Sequence, residues 1–312
     1  MLHQEVSTTT VRQTTERQAK RPRRLITLIF QYALSLLLVF AFIFPLLFMV
    51  SASVKQSNDA IFSDLQSFRG LLPVGNLTLN NYVAVFQQSP FLRFLVNSIF
   101  LSAAAVILGV FLNSMAAYAL SRLKWKGQKI TLTIIIATLI IPFEAIAIPL
   151  LLLVNSLPNL SVSGDGIALT QGWFDTYQVQ VIPFITSAFS IFLFYQFFKG
   201  IPVELDEAAL VDGASYFQIY RRIIMPISGP VIATVAIFTF LGSWNSFLWP
   251  TMVIQSQDVR PIMIGMNYFF QQVPQWGQIM AFATLVTLPV LALFLVFQRT
   301  FVTSIASSGV KG

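Results

Sequence analysis

Apolar residues run along this chain in long unbroken stretches instead of alternating with polar ones. Charge-free intervals at Leu25–Val54, Phe94–Ser121, Thr176–Phe198, Ile223–Gln257 and Pro261–Gln298 are each long enough for a helix that needs about 20 apolar residues to cross about 30 Å of hydrocarbon. A further stretch, Ile130–Asn155, is broken by charge only at Glu144. The pattern predicts an all-α integral membrane protein with six transmembrane helices, at 26–53, 94–121, 130–154, 179–199, 228–254 and 279–301. Helices are expected because lipid offers the backbone no partners and the runs lack the alternation of barrel strands. Pro45, Pro142, Pro149 and Pro289 predict kinks inside these spans.

The connections carry the rest of the information. Lys55–Arg93 mixes turn residues with scattered aromatics and predicts an outer loop with a short surface helix near Asn80–Gln87. The segment 156–178, with Pro158, Gly164, Asp165, Gly166 and Gly172, reads as turns. Residues 255–278 form a third outer loop whose Tyr268, Phe269, Phe270 and Trp276 suit either an interfacial belt or an external partner. The tail at 1–24, rich in Thr, Gln and Arg, is expected to be a disordered basic segment, followed by an uncleaved anchor.

Composition agrees with a membrane protein: 56% of the 312 residues are hydrophobic and only 10% charged. Lys and Arg then fix the orientation. Arg12, Arg17, Lys20, Arg21, Arg23, Arg24, Arg122, Lys124, Lys126, Lys129, Lys199, Arg221, Arg222, Arg299 and Lys311 fall on one side, and only Lys55, Arg69, Arg93 and Arg260 on the other. Both termini are therefore expected in the cytoplasm. The net charge of +7 sits beside the spans, where it meets anionic lipid, so it does not argue for nucleic acid. With no cysteine, disulfides, thiol chemistry and Cys-ligated metal are excluded.

One connection is anomalous. The basic side should be positive, yet the segment between the fourth and fifth spans begins with Glu204, Asp206 and Glu207 after Pro202, placed where a helix dipole favours negative charge. A helix over 203–212 is expected to end at Gly213, which can take a left-handed conformation. Ser215 would then cap a second helix running to Pro226. The product is a helix–glycine–helix elbow at 202–226, with the small residues Ala208 and Ala209 allowing close approach and Glu207 free to pair with a basic group.

No glycine is followed by lysine, so the Gly-Lys core of a phosphate-binding loop is absent and the chain is not expected to hydrolyse ATP. Within the spans Glu144 is the sole mid-span ionisable group, which disfavours a membrane enzyme and a gradient-driven secondary transporter alike. The latter remains the alternative from another class. Glu144 suits either a pore or a structural hydrogen bond, and Trp244 with Asn245 suits either stacking and hydrogen bonding to a solute or simple packing.

The sequence Glu207-Ala208-Ala209, three residues, Gly213, nine residues, Ile223-Ile224-Met225-Pro226 resembles the cytoplasmic loop of permease subunits of bacterial ABC importers. Met225 stands where the family has Leu, a mild change of apolar volume. Flanking segments, Phe197–Pro202, Gly242–Pro250 and Gln298–Val302 running to Gly312, resemble the carbohydrate branch, above all its smaller, six-helix maltose-type permease.

The resemblance implies a non-catalytic permease subunit in the bacterial plasma (inner) membrane, importing a sugar, oligosaccharide, polyol or related compatible solute. It implies as partners a second homologous permease chain, two ATPase subunits that bind ATP and Mg, and an extracytoplasmic solute-binding protein. Glu207, Ala208, Ala209, Asp212, Gly213 and Pro226 would dock the elbow in an ATPase cleft. Gln255, Ser256, Gln257 and Asp258 would reach the binding protein; the candidates for the substrate path, Glu144, Trp244 and Asn245, rest on their residue chemistry alone, beside the structural alternatives given above. No metal or cofactor is implied for this chain itself.

Overall fold

The computed structural model describes the backbone of residues 5–163, 166–270 and 273–309, with side chains described outside 5–26, 160–169 and 297–309. The expected contacts of the basic tail and of the segment 298–312 thus lie outside the described side chains. The chain divides into two compact units.

The first unit holds α1 (Glu5–Ser53), α2 (Asn58–Asp64), a 3-10 turn at Phe68–Leu71 and the first residues of the last helix. Thr27–Ser53 is a 27-residue apolar span, as the hydrophobic run predicts. Its apolar side chains, such as Phe30 and Phe42, are exposed and suited to lipid. The helix continues back to Glu5, where the composition suggested an irregular tail. Extension of a helix already nucleated by an apolar span adds one hydrogen bond per residue, and the Gln, Arg and Lys of this stretch are good helix formers.

Beyond α1, Lys55 is 2% exposed and donates to Asp64 Oδ2 at 2.7 Å and to the Arg69 carbonyl at 3.1 Å. The bond from Lys55 holds the Asp64 carboxyl below its ordinary range. Asn81 Nδ2 donates to the carbonyls of Ser53 and Lys55, both at 2.9 Å. A buried lysine needs such partners, and together they fold the outer loop back on the helix end.

The second unit contains α3 (Asn80–Gln88, beginning in the first unit), where the short surface helix was expected, and α4 (Phe91–Ser121), an unbroken 31-residue span. The next three spans are not single rods. α5 (Gln128–Ala137) continues as a 3-10 turn to Ile140 and meets α6 (Phe143–Ser156) at 105°. Pro142 N-caps α6, so the stretch read as one helix over 130–154 is two.

α7 (Tyr177–Val181), extended by a 3-10 turn to Phe184, meets α8 (Ala188–Lys199) at 43°. The connecting elbow comprises α9 (Glu204–Val211), α10 (Tyr216–Ile219), a π-helical turn at Tyr220–Ile224 and α11 (Met225–Ile227). Its second arm meets α12 (Gly229–Trp244) at 82°. The expected span 228–254 is itself interrupted after Trp244 and resumes as α13 (Leu248–Val253). α14 (Ile262–Gly265) and α15 (Trp276–Gly309) complete the chain. Among the described residues, three helices are long and apolar enough to span a membrane, and up to six spans result when each bent pair counts as one.

One local expectation fails. Pro158–Ser163 (β1) and Gly166–Gln171 (β2) pair as antiparallel strands, so the described residues are helical with one small two-stranded ribbon. The signal was present in Leu160-Ser161-Val162-Ser163 and Ile167-Ala168-Leu169-Thr170, alternating segments that flank Gly-Asp-Gly.

The core of the second unit lies where α4, α8, the elbow and α12 meet. Phe194, Phe198, Ile219, Ile224 and Val235 are fully buried together with Ala117. Gly265 lies on the ring of Phe94, where an added Cβ would come within 2.6 Å of the ring.

Candidate functional site: a broken-helix cavity and an exposed elbow

Three of the helix interruptions converge on one cavity of about 800 Å³. Phe143, next to Pro142, comes from the first break. Phe184, Thr186 and Ser187 come from the second, and Asn245, Ser246 and Phe247 from the third, with Ser243 of α12 beside them. Breaks are tolerated inside a membrane only where the freed backbone groups find protein partners or line a wet cavity.

Both conditions are met at the second break. Asn113 of α4 is 1% exposed, and its Oδ1 accepts from the Ser187 amide at 2.8 Å while Nδ2 donates to the Ile185 carbonyl at 3.0 Å. Gly109, one turn earlier, lets that carbonyl approach, since a Cβ there would stand 3.3 Å from it.

The wall is part aromatic and part hydroxylic. Phe143, Phe184 and Trp249 form a mutual edge-to-face cluster with centroids 5.6 to 6.0 Å apart, and the Trp249 indole is fixed by donation to the Val179 carbonyl at 2.9 Å. Thr186, Ser187, Ser243, Asn245 and Ser246 supply hydrogen-bonding groups, and among the described residues none that lines the cavity is charged. Aromatic faces beside uncharged donors and acceptors suit a neutral, hydroxyl-rich molecule.

The three candidates for the solute path separate. Asn245 lines the cavity, though its Nδ2 also donates to the Leu241 carbonyl at 2.9 Å. Trp244 does not line it: the side chain is 1% exposed and stacks on Phe240 with centroids 5.4 Å apart, so its ring is packing. Glu144 is exposed in the first turn of α6, where the helix dipole favours a carboxylate, and its neighbour Phe143 faces the cavity instead. The break at Pro142 thus turns a mid-span carboxylate into a helix-start carboxylate.

The elbow follows the expected design closely. Gly213 has φ 80, the left-handed value that ends α9, and the Ala214 amide donates back to Ala209 at 2.9 Å. Ser215 and Gln218 form a reciprocal capping box at the start of α10. Helix α9 begins at Glu204, one position after the expected start, so Pro202 precedes it. Glu207, Ala208, Asp212, Gly213 and Pro226 are exposed, while Ala209 is half-buried against the core.

A contact that sequence reasoning missed anchors the elbow. Arg122, counted only for orientation, is 4% exposed at the end of α4 and meets Asp206 at 3.2 Å. Its Nη2 donates to the carbonyls of Phe198 at 2.5 Å and Ile201 at 2.6 Å. Burial pushes the Asp206 carboxyl up from its ordinary range, and Arg122 draws it part of the way back. Nearby, the hydroxyls of Ser114 and Tyr220 pair at 2.8 Å in a buried contact.

The expected binding-protein loop is ordered by its own network. Asp175, at φ 60, accepts from the amides of Gln255 and Ser256 at 3.0 and 2.9 Å. Asp258 pairs with Arg93, and Asn97 Nδ2 donates to the carbonyls of Asp258 and Arg260, each at 2.9 Å. Gln255, Gln257 and Asp258 remain exposed, with Ser256 half-buried.

The chain is similar to known proteins. The family model described as binding-protein-dependent transport system inner membrane component matches residues 105–307. The arabinooligosaccharides transport system permease protein AraQ of Halalkalibacterium halodurans is 30% identical over 277 residues, covering 88% of this chain and 93% of AraQ. The lactose transport system permease protein LacG of Rhizobium radiobacter is 30% identical over 287 residues, covering 92% and 97%. Among solved structures, a bacterial ABC transporter involved in the import of the acidic polysaccharide alginate shares the fold. Its TM-score is 0.73 at 19% identity, with 88% of this chain and 96% of the other covered. With a multi-pass helical fold, an ordered elbow and a family match over most of its length, the chain belongs to the inner membrane components of binding-protein-dependent transport systems.

Proposed function

We propose that this permease is one membrane half of an ATP-driven importer for a neutral sugar or short oligosaccharide. The observation that carries the ATP-driven part is the elbow. Val211 is 87% exposed, Tyr216 and Phe217 are each 55% exposed, and Glu207 is exposed beside them. A rigid, capped segment on the basic side that shows apolar side chains and an acidic group to solvent is built for a protein partner. In this reading an ATPase subunit receives the elbow, with a basic residue opposite Glu207, and supplies the ATP and Mg chemistry. A second permease chain completes the pore, and closure of two ATPases moves the helices between inward- and outward-facing arrangements.

The solute class rests on the uncharged lining of hydroxyl, amide and aromatic groups and on relatives named for arabinooligosaccharides and lactose. An acidic sugar polymer would bring carboxylates that this wall does not neutralise. Asn245 and Ser246 are placed to meet solute hydroxyls, and the loop at Gln255–Asp258 to meet an extracytoplasmic binding protein.

Co-purification tests the reading directly. The tagged chain, expressed with the genes beside its own, should bring down an ATPase and a second permease. Recovery of the chain alone would refute it. Uptake of a panel of labelled neutral and acidic sugars then separates the solute classes.

A further inference from the structure

We infer that Arg122 is the positioning residue through which movement of the elbow reaches the membrane-spanning helices, an inference that rests on the importer reading above. One guanidinium joins three segments: the end of α4, the carbonyls of Phe198 and Ile201 at the end of α8, and Asp206, which directly precedes Glu207. A helix C-terminus favours a cation, and the Phe198 carbonyl lies in the last turn of α8 with that of Ile201 just beyond it.

The contact resists being half-opened. Arg122 is 4% and Asp206 13% exposed, so sliding the elbow away from α4 would leave a guanidinium and a carboxylate buried without each other. Removing one partner of such a pair is far costlier than never having built it. The elbow is held a second time on the same helix by Ser114 and Tyr220. Residues 114 and 122 stand about 12 Å apart along the axis at ~1.5 Å per residue. Two anchors at that spacing stop α9 and the π turn from pivoting on α4, so a displacement applied at Glu207 turns α4 with it. Since α4 also lines the cavity through Leu101 and Ala105, the motion arrives where solute would pass.

The absence of cysteine makes a clean test available. A single Ser246→Cys reporter is placed in the cavity of the complete co-expressed complex. Inside-out membrane vesicles receive a membrane-impermeant maleimide with or without MgATP and vanadate. In the parent, nucleotide trapping should slow labelling of the reporter, and ATPase subunits should co-purify. Arg122→Lys, which has one ammonium where three acceptors need a planar fork, and Asp206→Ala should each shrink that nucleotide effect by roughly 3- to 10-fold. Co-purified ATPase and its hydrolysis rate should stay within about twofold of the parent, the split that a merely structural role would not produce.

A nucleotide effect as large in both variants as in the parent overturns the role of Arg122 alone. Loss of ATPase retention in step with the labelling effect also overturns it, because the clasp would then serve docking. A parent that retains no ATPase overturns the importer reading and this inference together.

Discussion

Asn113 and Ser187 share a hydrogen bond of 2.8 Å that holds a helix break open over the cavity. The same amide donates to Ile185 and to Gly109, so one buried side chain satisfies backbone groups on both sides of the interruption. A kink that would otherwise leave orphaned groups becomes a fixed part of the wall.

Asn113→Ala should therefore destabilise the chain by about 1–3 kcal/mol for each backbone group left without a partner. The expected result is a lower Tm for the purified complex in detergent. An unchanged Tm would mean that water replaces the amide without cost.

Gly213 at φ 80 predicts a graded series. Gly213→Val should lose more ATPase retention than Gly213→Asn, because left-handed backbone costs an ordinary L residue roughly 1–2 kcal/mol and Asn least. No atom lies within 4 Å of a Cβ built there, so side-chain size alone would not order the series. Co-purified ATPase, measured against permease on the same gel, reads the outcome.

Glu207 is exposed beside Ala208, and reversing its charge should reverse its attraction for a basic partner. Glu207→Lys is expected to abolish ATP-coupled uptake while membrane insertion stays intact. Uptake at the parental rate would remove Glu207 from the docking surface.

Asp175 staples the loop through two backbone amides. Asp175→Asn keeps an acceptor and tolerates the left-handed backbone, whereas Asp175→Ala keeps neither advantage. Hydrogen exchange of Gln255 and Ser256 should rise at least about tenfold in the alanine variant, the loss of roughly 1.4 kcal/mol of local protection. The asparagine variant should stay near the parent.

The outer contact of Lys55 with Asp64 predicts a dependence on acidity. The Asp64 carboxyl is held below its ordinary value near 3.8, so its contribution is complete above that value and is lost as pH falls through the lowered one. Proteolysis of the outer loop should stay flat from neutral pH down to about 4 and accelerate below it. Asp64→Asn should lose that acid sensitivity while showing faster cleavage at neutral pH.

The spans and the elbow were legible because their signals are strong and local: intervals without charge, a glycine between two short helices, a serine placed to cap the second of them. Of the breaks, the one at Pro142 was signalled as a kink, while the other two were not, since Thr186, Ser187 and Asn245 carry no charge and leave a charge-based segmentation undisturbed. Amides and hydroxyls along α4, at Asn97, Ser98, Ser102, Asn113 and Ser114, are all buried. Those positions were the available clue that this helix faces protein instead of lipid. Arg122 was visible only as one of many basic residues, for its role depends on carbonyls 76 and 79 positions away. Trp244 next to Asn245 suited solute stacking and packing equally in the sequence, and the structure shows its ring buried against Phe240.

The length of α4 carries a last consequence. Its 31 residues extend about 46 Å at ~1.5 Å per residue, well beyond a hydrocarbon layer of about 30 Å. Asn97 and Arg122 stand about 38 Å apart along that axis at ~1.5 Å per residue, farther than the hydrocarbon layer is thick, so the two cannot both lie within it. α12 has 16 residues and covers only about 24 Å, so α13, beyond the break at Asn245, must carry the rest of that span. Acyl-chain length thus acts on the two helices unequally, and bilayer thickness becomes a control on how readily this chain changes shape.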